Sequence, residues 1–389
     1  MPRLQEFERE HDRDVLDAAR AFFESLPATT PREIFQVLED HGYRGQEQAR
    51  KAVALMAYRH VRRIRRIHLG GVQRRTLPPK NNLLLMGPTG CGKTFLVELL
   101  FGEILQLPTV VIDISGFSET GYVGDDVKTI LTRLLSAAEE NPLAASAGVI
   151  CLDEFDKLAS SQNNARFDGQ GTTKDVSGFG VQKELLRILE SAYVDVPMDY
   201  NNTIYSDRIR IYTGDIAFVG CGAFSGFKNT AATRTGDPTI GFKATADLSE
   251  RDLIAVDIEE GEANDIENFN CYGFLPELIA RFTRLVPLQP LDRETLKLIL
   301  VDNVVKTFES EFESEGLRLK VEESVLDHIV NRSFERQTGA RGLNAILTQT
   351  IENCAFEQFG SDEKCEIRLR IRRGKIQAAR YRMKARSDG

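Results

Sequence analysis

The sequence lacks the features that mark membrane and secreted proteins. No stretch of the 389 residues approaches the ~18 consecutive apolar residues that a membrane-spanning helix needs. The N-terminus carries Arg3 and several acidic residues instead of the basic and then apolar segments of a signal peptide. The six cysteines form no C-x-x-C pair, which argues against a zinc site and against a disulfide framework. We therefore expect a reducing, cytoplasmic setting.

Internal repeats and low-complexity tracts are also missing, so the chain has the profile of an ordinary globular protein. Its hydrophobic content is 42% and its charged content 28%, and its length predicts two or three domains. A net charge of −8 argues against nucleic acid as the main partner. The charge is uneven, since Arg59–Arg75 and Arg368–Arg386 are basic and Asp247–Glu267 is acidic. The simplest interpretation of each run is a solvated or subunit-facing surface.

Short apolar runs alternate with helical patterns over most of the chain. An amphipathic helix is expected over 4–26, and Thr30, Pro31 and Glu33 predict a capping box at the start of the next one. The remaining elements of this part are strands at 83–87, 109–114, 148–156 and 216–224 and helices at 46–68, 93–105, 125–139 and 180–192. This alternation predicts an α/β fold with a parallel sheet between helices.

The pattern changes after the proline-containing stretch at 284–292. Helical segments follow at 292–314, 322–333 and 340–358, and then a strand-like basic segment. We expect three parts: an N-terminal helical extension over 1–30, a large α/β domain over 31–288 and a smaller, mainly helical domain over 289–389. A hinge is expected near Val286–Leu291.

A phosphate-binding loop follows the first strand. The stretch "GPTGCGKT" satisfies G-x-x-x-x-G-K-[ST] and lies between a strand and a helix, as the motif requires. Its residues are Gly87, Pro88, Thr89, Gly90, Cys91, Gly92, Lys93 and Thr94. The glycines let backbone N–H groups surround phosphates at the positive end of the helix. Lys93 is expected to reach the β- and γ-phosphates of ATP, and Thr94 to ligate Mg²⁺.

A second apolar strand, "VICLDEFD", ends in two acids. Asp153 and Glu154 emerge at its carboxyl end, where ligands bind in open α/β sheets. Asp153 suits the Walker-B role beside Mg²⁺, and Glu154 suits the base that polarises the attacking water. An ordinary polar strand end is the alternative.

With these motifs and a helical C-terminal domain, the chain resembles the AAA+ ATPases and, more narrowly, the ClpX unfoldases of the Clp protease. The resemblance covers roughly residues 32–360. The segment 44–60 resembles the family's adenine-side helix, which places Tyr43 and Arg44 near the base. These two stand where the family has small apolar residues, and they are expected to stack on adenine.

Two arginines take their expected roles from this resemblance. "GFLPELIARF" (273–282) resembles the arginine-finger segment, so Arg281 would meet the γ-phosphate of a neighbouring subunit. "TGARGLN" (338–344) resembles the sensor-2 motif, so Arg341 would reach the nucleotide from the smaller domain. Apart from these motifs, each arginine would be read as part of a surface ion pair. An arginine that acts on a neighbour implies a ring, which in this family is a homo-hexamer.

Three further segments resemble the family's contacts with substrates and with its peptidase. "GYVGDDV" (121–127) resembles the first pore loop, with Tyr122 and Val123 as substrate contacts, and 174–190 resembles the second, with Val176 and Ser177. Tyr122 taken alone would be a structural turn residue. Ile240, Gly241 and Phe242 match the tip that docks on a ClpP-type peptidase. The alternative is that the side chains of Ile240 and Phe242 pack into the core of this protein.

Two departures from the family qualify the resemblance. Residues 1–30 hold no cysteine, so the family's zinc domain for adaptors is expected to be absent. The Lys-His-containing loop at the pore entrance is not recognisable in 196–215, which puts recognition of the family's usual degradation tags in question.

The resulting hypothesis is an ATP- and Mg²⁺-dependent protein unfoldase that feeds a ClpP-type peptidase. One alternative keeps the motor without the peptidase, as a remodeller of a dedicated substrate or complex. Another is a nucleotide-gated scaffold or nucleic-acid motor that uses the basic runs as phosphate contacts, which the net charge of −8 disfavours.

Overall fold

The computed structural model describes residues 2–117, 127–159, 177–197, 208–228, 260–263, 265–360 and 365–382, with the backbone alone at 2–13, 177, 260, 262 and 382. The described residues form two compact units. The large unit takes residues from Met1–Leu38, Glu47–Pro88 and Lys93–Leu288, and the small unit from Glu39–Gln46, Thr89–Gly92 and Gln289–Gly389. One boundary between them therefore falls directly after Leu288.

A five-stranded parallel sheet organises the large unit. Its strands are β1 (Leu83–Met86), β2 (Thr109–Asp113), β3 (Val149–Asp153), β6 (Ala217–Gly222) and β7 (Arg284–Pro287), in the order β2-β3-β6-β1-β7. Every residue of β1 and β6 is buried, as expected for strands covered on both faces. A separate antiparallel hairpin pairs β4 (Tyr193–Pro197) with β5 (Arg208–Tyr212).

Helices flank this sheet. They span Pro2–Ser25, Pro31–Asp40, Glu47–His68, Lys93–Val97, Val127–Ala137, Pro142–Ser146, Ser177–Leu189, Glu260–Ala263, Ile266–Tyr272 and Pro276–Ile279. The helix that begins at Lys93 continues in π-helical form over Glu98–Ile104. The capping box is confirmed, because Thr30 N–H donates to Glu33 Oε2 at 2.6 Å and Glu33 N–H donates to Thr30 Oγ1 at 3.3 Å.

The small unit is mainly helical and has its own core. Its helices span Arg293–Ile299, Lys306–Ser314, Glu323–Glu335 and Gly339–Gln358, and the turn Leu300–Val305 between the first two is π-helical. They pack on a three-stranded sheet of β8 (Arg318–Val321), β9 (Cys365–Arg372) and β10 (Lys375–Arg382), in the order β10-β9-β8. Buried Leu300, Phe312, Leu347 and Leu369 belong to this core. The expected α/β fold with a smaller helical part after it is confirmed.

Candidate nucleotide-binding site

The turn after β1 admits no side chain at its first residue. Gly87 has a φ of 156°, and a Cβ there would lie 2.5 Å from the carbonyl oxygen of Leu288. Leu288 is held in that position because its N–H donates to Met86 O at 2.6 Å. The first glycine of the motif is thus required by the close approach of the chain that leaves β7.

Lys93 is folded back on the beginning of this turn. Its side chain is buried, and Nζ donates to the carbonyl oxygens of Gly87 at 2.7 Å and Pro88 at 2.9 Å. These hydrogen bonds hold the ammonium group at the turn. A phosphate bound there would give it charged oxygen partners in place of the two neutral carbonyl groups.

Thr94 and Asp153, the two residues predicted to hold a metal ion, are in direct contact. Thr94 Oγ1 donates to Asp153 Oδ2 at 2.8 Å, although the residues lie on different elements. Asp153 is the last residue of β3, and Thr94 lies in the first turn of the helix after the loop. A hydroxyl and a carboxylate oxygen are hard donors of the kind that Mg²⁺ prefers.

Glu154 leaves the end of β3 in an unusual backbone conformation. Its φ of 53° and ψ of 33° are left-handed, a region that costs a non-glycine residue about 1–2 kcal/mol. Its N–H donates to Asp153 Oδ1 at 2.9 Å, and its side chain is exposed. Strained residues of this kind cluster at functional sites, and this one is the predicted catalytic base.

Glu98 adds to the negative potential beside Asp153. Partial burial, and then repulsion by the carboxylates of Asp153 and Glu103, raises the pKa of Glu98 above its usual value. A site that disfavours additional negative charge is one that favours a bound cation.

The sequence did not single out Asp156, which ties two strand ends together. This aspartate is 8% exposed, and its Oδ1 accepts a hydrogen bond from Ala223 N–H at 3.1 Å. A Cβ on Gly222 would lie 2.7 Å from the same oxygen. The position of Asp156 directly after "LDEF" was the available signal for a functional role. Its partner Ala223 follows β6 and is remote in sequence, so the contact itself could not be predicted.

The middle of the phosphate loop, Thr89–Gly92, groups with the small unit. Gly90 O accepts a hydrogen bond from Ala340 N–H at 3.1 Å. A Cβ on Gly90, whose φ is +77°, would lie 2.6 Å from Thr338 O. The first turn of the helix Gly339–Gln358 therefore lies against the loop, and Arg341 is in that turn with an exposed side chain.

Tyr43 and Arg44 both have partners in the small unit. Tyr43 is 3% exposed, and its hydroxyl donates to Gly92 O at 3.2 Å. Arg44 forms an ion pair with Asp302 at 2.7 Å and donates to Glu39 O. The same arginine holds the pKa of the Asp302 carboxyl below its usual value. Contact of these two residues with adenine stays a prediction.

Arg281 lies on the large unit directly after the short helix Pro276–Ile279 and Ala280. Its guanidinium pairs with Glu190 at 2.6 Å, and both side chains are about half exposed. The remaining predicted contacts, Tyr122, Val123, Val176, Ile240, Gly241 and Phe242, lie outside the described residues. Ser177 begins the helix Ser177–Leu189.

Two family models match the chain. The AAA domain (Cdc48 subfamily) matches residues 78–285, and the C-terminal, D2-small domain of ClpB protein matches residues 291–366. Among the described residues, no helix is long and apolar enough to cross a membrane.

Several curated relatives are similar over most of their length. The ATP-dependent Clp protease ATP-binding subunit ClpX 3 of Methylococcus capsulatus is 36% identical over 80% of this chain and 73% of its own. The ClpX subunit of Bacteroides thetaiotaomicron is 32% identical over 91% of this chain and 83% of its own. That of Porphyromonas gingivalis is 33% identical over 88% of this chain and 80% of its own.

Proposed function

Because this chain belongs to the ClpX-like family of AAA+ ATPases, we propose that it is a protein unfoldase that works as a homo-hexameric ring. The ring threads substrate polypeptides through its pore and delivers them to a ClpP-type peptidase. The observation that carries the ATP-driven part is the contact of Thr94 with Asp153 at 2.8 Å, beside the buried Lys93 on the phosphate loop.

The residues of the loop bind and orient the triphosphate. Lys93 exchanges its bonds to Gly87 O and Pro88 O for phosphate oxygens, and the amides at the start of the helix complete the cradle. Thr94 and Asp153 would hold Mg²⁺, which neutralises charge on the phosphates when bound. The strained backbone at Glu154 directs its carboxylate to the water that it polarises.

Two arginines complete the site in this proposal. Arg281 contacts the γ-phosphate bound by the adjacent subunit, where a planar guanidinium stabilises the charge that develops in the transition state. Arg341 acts from the helix whose first turn lies against Gly90. Tyr43 and Arg44 border the base.

The mechanical contacts are proposed to be the two pore loops. Tyr122 and Val123 grip the substrate, and Val176 and Ser177 form a second ring of contacts. A flat aromatic side chain can contact many kinds of side chain without requiring one sequence.

The proposal is tested by asking whether substrate unfolding can be abolished while ATP hydrolysis continues. In Tyr122→Ala, unfolding of a tagged fluorescent protein is expected to stop while ATP hydrolysis continues, and Tyr122→Phe is expected to retain both. Unchanged unfolding by Tyr122→Ala would contradict the proposal. Because the family's Lys-His-containing pore-entrance loop is not recognisable in 196–215, substrates are first captured in lysate with Glu154→Gln, which is expected to hold ATP without hydrolysing it.

Peptidase docking is assigned to Ile240, Gly241 and Phe242. Apolar side chains such as those of Ile240 and Phe242 suit anchoring in a partner's pocket. Co-purification of a ClpP-type peptidase with the wild type, lost with Phe242→Ala at unchanged ATPase activity, is the expected result. No peptidase in either preparation would favour a remodeller that acts without a protease.

A further inference from the structure

The C-terminal sheet of the small unit collects positive charge on one face. The strand register puts alternate residues on the same side, since Lys320 pairs with Arg368 and Arg372 with Lys375. We call this side the basic sheet face. Its members are Arg318 and Lys320 on β8, Glu366, Arg368, Arg370 and Arg372 on β9, and Lys375, Gln377, Ala379 and Tyr381 on β10.

The opposite side of the sheet fixes this orientation. Leu319, Ile367 and Leu369 point into the core of the small unit and are at most 4% exposed. A slip of one residue would exchange these leucine and isoleucine side chains for arginines. The basic sheet face is therefore the outer side of a firmly packed sheet.

The charge on this face is almost unopposed. Glu366 is its single acid, and Arg368 pairs with that carboxylate at 2.6 Å. Among the described residues, no salt bridge involves Lys320, Arg372 or Lys375. Like charges directly opposite each other destabilise a sheet, yet they occur at Lys320–Arg368 and at Arg372–Lys375. In a chain of net charge −8, such an arrangement indicates an anionic partner.

An aromatic side chain lies among these cations. Tyr381 is 38% exposed, its ring centroid lies 4.9 Å from the Arg368 guanidinium, and its hydroxyl accepts a hydrogen bond from Arg370 Nη1 at 3.1 Å. Arg368, Arg370 and Arg372 repeat along one strand at about 6.6 Å. A row of guanidiniums beside an aromatic ring suits phosphates together with bases, whereas an acidic polypeptide would need only the charge.

We propose that the basic sheet face binds single-stranded nucleic acid. The arginines and lysines contact the phosphates, and Tyr381 contacts a base. The family-model match ends at residue 366, so most of β9 and all of β10 lie beyond it. The proposal rests on the sheet of the small unit alone and does not depend on the unfoldase function.

The test measures binding of a fluorescein-labelled 20-nucleotide oligo(dT) to the full-length protein by anisotropy. Six phosphate contacts, one for each cation of the basic sheet face, predict a slope of about −4.2 for log affinity against log salt, or roughly 300-fold weaker binding at 200 than at 50 mM salt. Arg372→Gln with Lys375→Gln removes two of these contacts and should reduce the slope to about −2.8, or roughly fiftyfold. The matched control is Arg332→Gln with Arg336→Gln, two exposed cations of the same unit, and it should leave the slope unchanged.

A second variant distinguishes contacts with the bases from contacts with the phosphate charges. Tyr381→Leu should weaken binding of oligo(dT) at least about fivefold, because base stacking is worth about 1–3 kcal/mol. The same variant should bind inorganic polyphosphate as the wild type does. ATPase activity of all variants confirms that they are folded, so failure here leaves the proposed unfoldase function untouched.

Two results would overturn the proposal. One is equal oligo(dT) affinity and salt slope in the wild type and in Arg372→Gln with Lys375→Gln. The other is polyglutamate that binds as tightly as oligo(dT) and competes with it at equal charge, which would make the face a site for acidic polypeptides.

Discussion

The guanidinium of Arg281 pairs with the carboxylate of Glu190 at 2.6 Å, on a surface where both side chains are about half exposed. An exposed pair of this kind contributes only about 0.2–1 kcal/mol. Little free energy is therefore lost if the arginine exchanges Glu190 for a phosphate, as its proposed action on a neighbouring subunit requires.

We expect Arg281→Ala to bind ATP normally and to hydrolyse it on the order of a thousandfold more slowly. Glu190→Gln breaks the same ion pair but keeps the arginine, so it should retain hydrolysis and the melting temperature. ATP binding is measured with a fluorescent nucleotide, and hydrolysis by phosphate release. Loss of activity in Glu190→Gln as well would mean that the pair itself is what matters.

Action in trans predicts complementation. Arg281→Ala and Glu154→Gln should each hydrolyse ATP very slowly alone, but co-expressed subunits should regain activity. In the proposed mixed rings, an intact Glu154 site of one subunit would meet an intact Arg281 of its neighbour. Mixed rings as inactive as their parents would place Arg281 in its own subunit's site.

The contact between Thr94 and Asp153 makes a prediction about metal dependence. Thr94→Ala removes a hydroxyl that donates to Asp153 at 2.8 Å and that is proposed to ligate Mg²⁺. The Mg²⁺ concentration for half-maximal ATPase activity should rise about tenfold, corresponding to roughly 1.4 kcal/mol. Thr94→Ser keeps the hydroxyl and should stay within about twofold of the wild type. If serine is as defective as alanine, the methyl group and not the oxygen is what the site needs.

How much could be predicted from the sequence depended on how local each signal was. The phosphate loop and the end of β3 were predictable, because an apolar run that ends in glycine or in acids specifies strand, turn and charge together. β7 was read as part of a hinge on account of its proline. The structure shows why Pro287 is tolerated: β7 is an edge strand, where a missing N–H costs no sheet hydrogen bond.

Long-range partners were beyond the sequence. Nothing near Tyr43 indicated that its hydroxyl would donate to Gly92 O. Nothing in the basic run Arg59–Arg75 indicated which carboxylates its arginines would pair with. The run had been interpreted as a surface, or as phosphate contacts in a nucleic-acid motor. In the structure, Arg74 pairs with Asp215 at 2.7 Å and Arg63 lies 3.5 Å from the same carboxylate, which is fully buried.

Asp215 should consequently be a stability residue. Asp215→Asn leaves Arg63 and Arg74 without their carboxylate, and breaking a buried ion pair costs about 3 kcal/mol. That corresponds to a fall in melting temperature of roughly 6–12 °C. Asp195→Asn, which breaks an exposed pair with Arg210, should change it by less than about 3 °C. Equal melting temperatures for the wild type and Asp215→Asn would show that the arginines are held by something else.

His60 makes the large unit sensitive to acid. Its imidazole is 5% exposed, and Nε2 lies 2.7 Å from Ala147 O, to which the neutral ring donates. Burial lowers the pKa of His60 from 6.5 to about 4, against the opposing effects of the Ala147 carbonyl and of Asp215. Between these two values the unfolded chain binds a proton and the folded chain does not, so stability present at neutral pH is lost as the pH falls through 6.5 towards 4.

We therefore expect His60→Gln to flatten the pH dependence of unfolding. Glutamine keeps a donor for Ala147 O but does not titrate. Between pH 7.5 and 4.5, the wild type should lose about 2.5 kcal/mol more unfolding free energy than His60→Gln does, as measured by urea denaturation at each pH. His41→Gln, which replaces a histidine at an exposed position, is the matched control and should follow the wild type. Parallel curves for the wild type and His60→Gln would mean that the pKa of His60 is the same in the folded and in the unfolded protein.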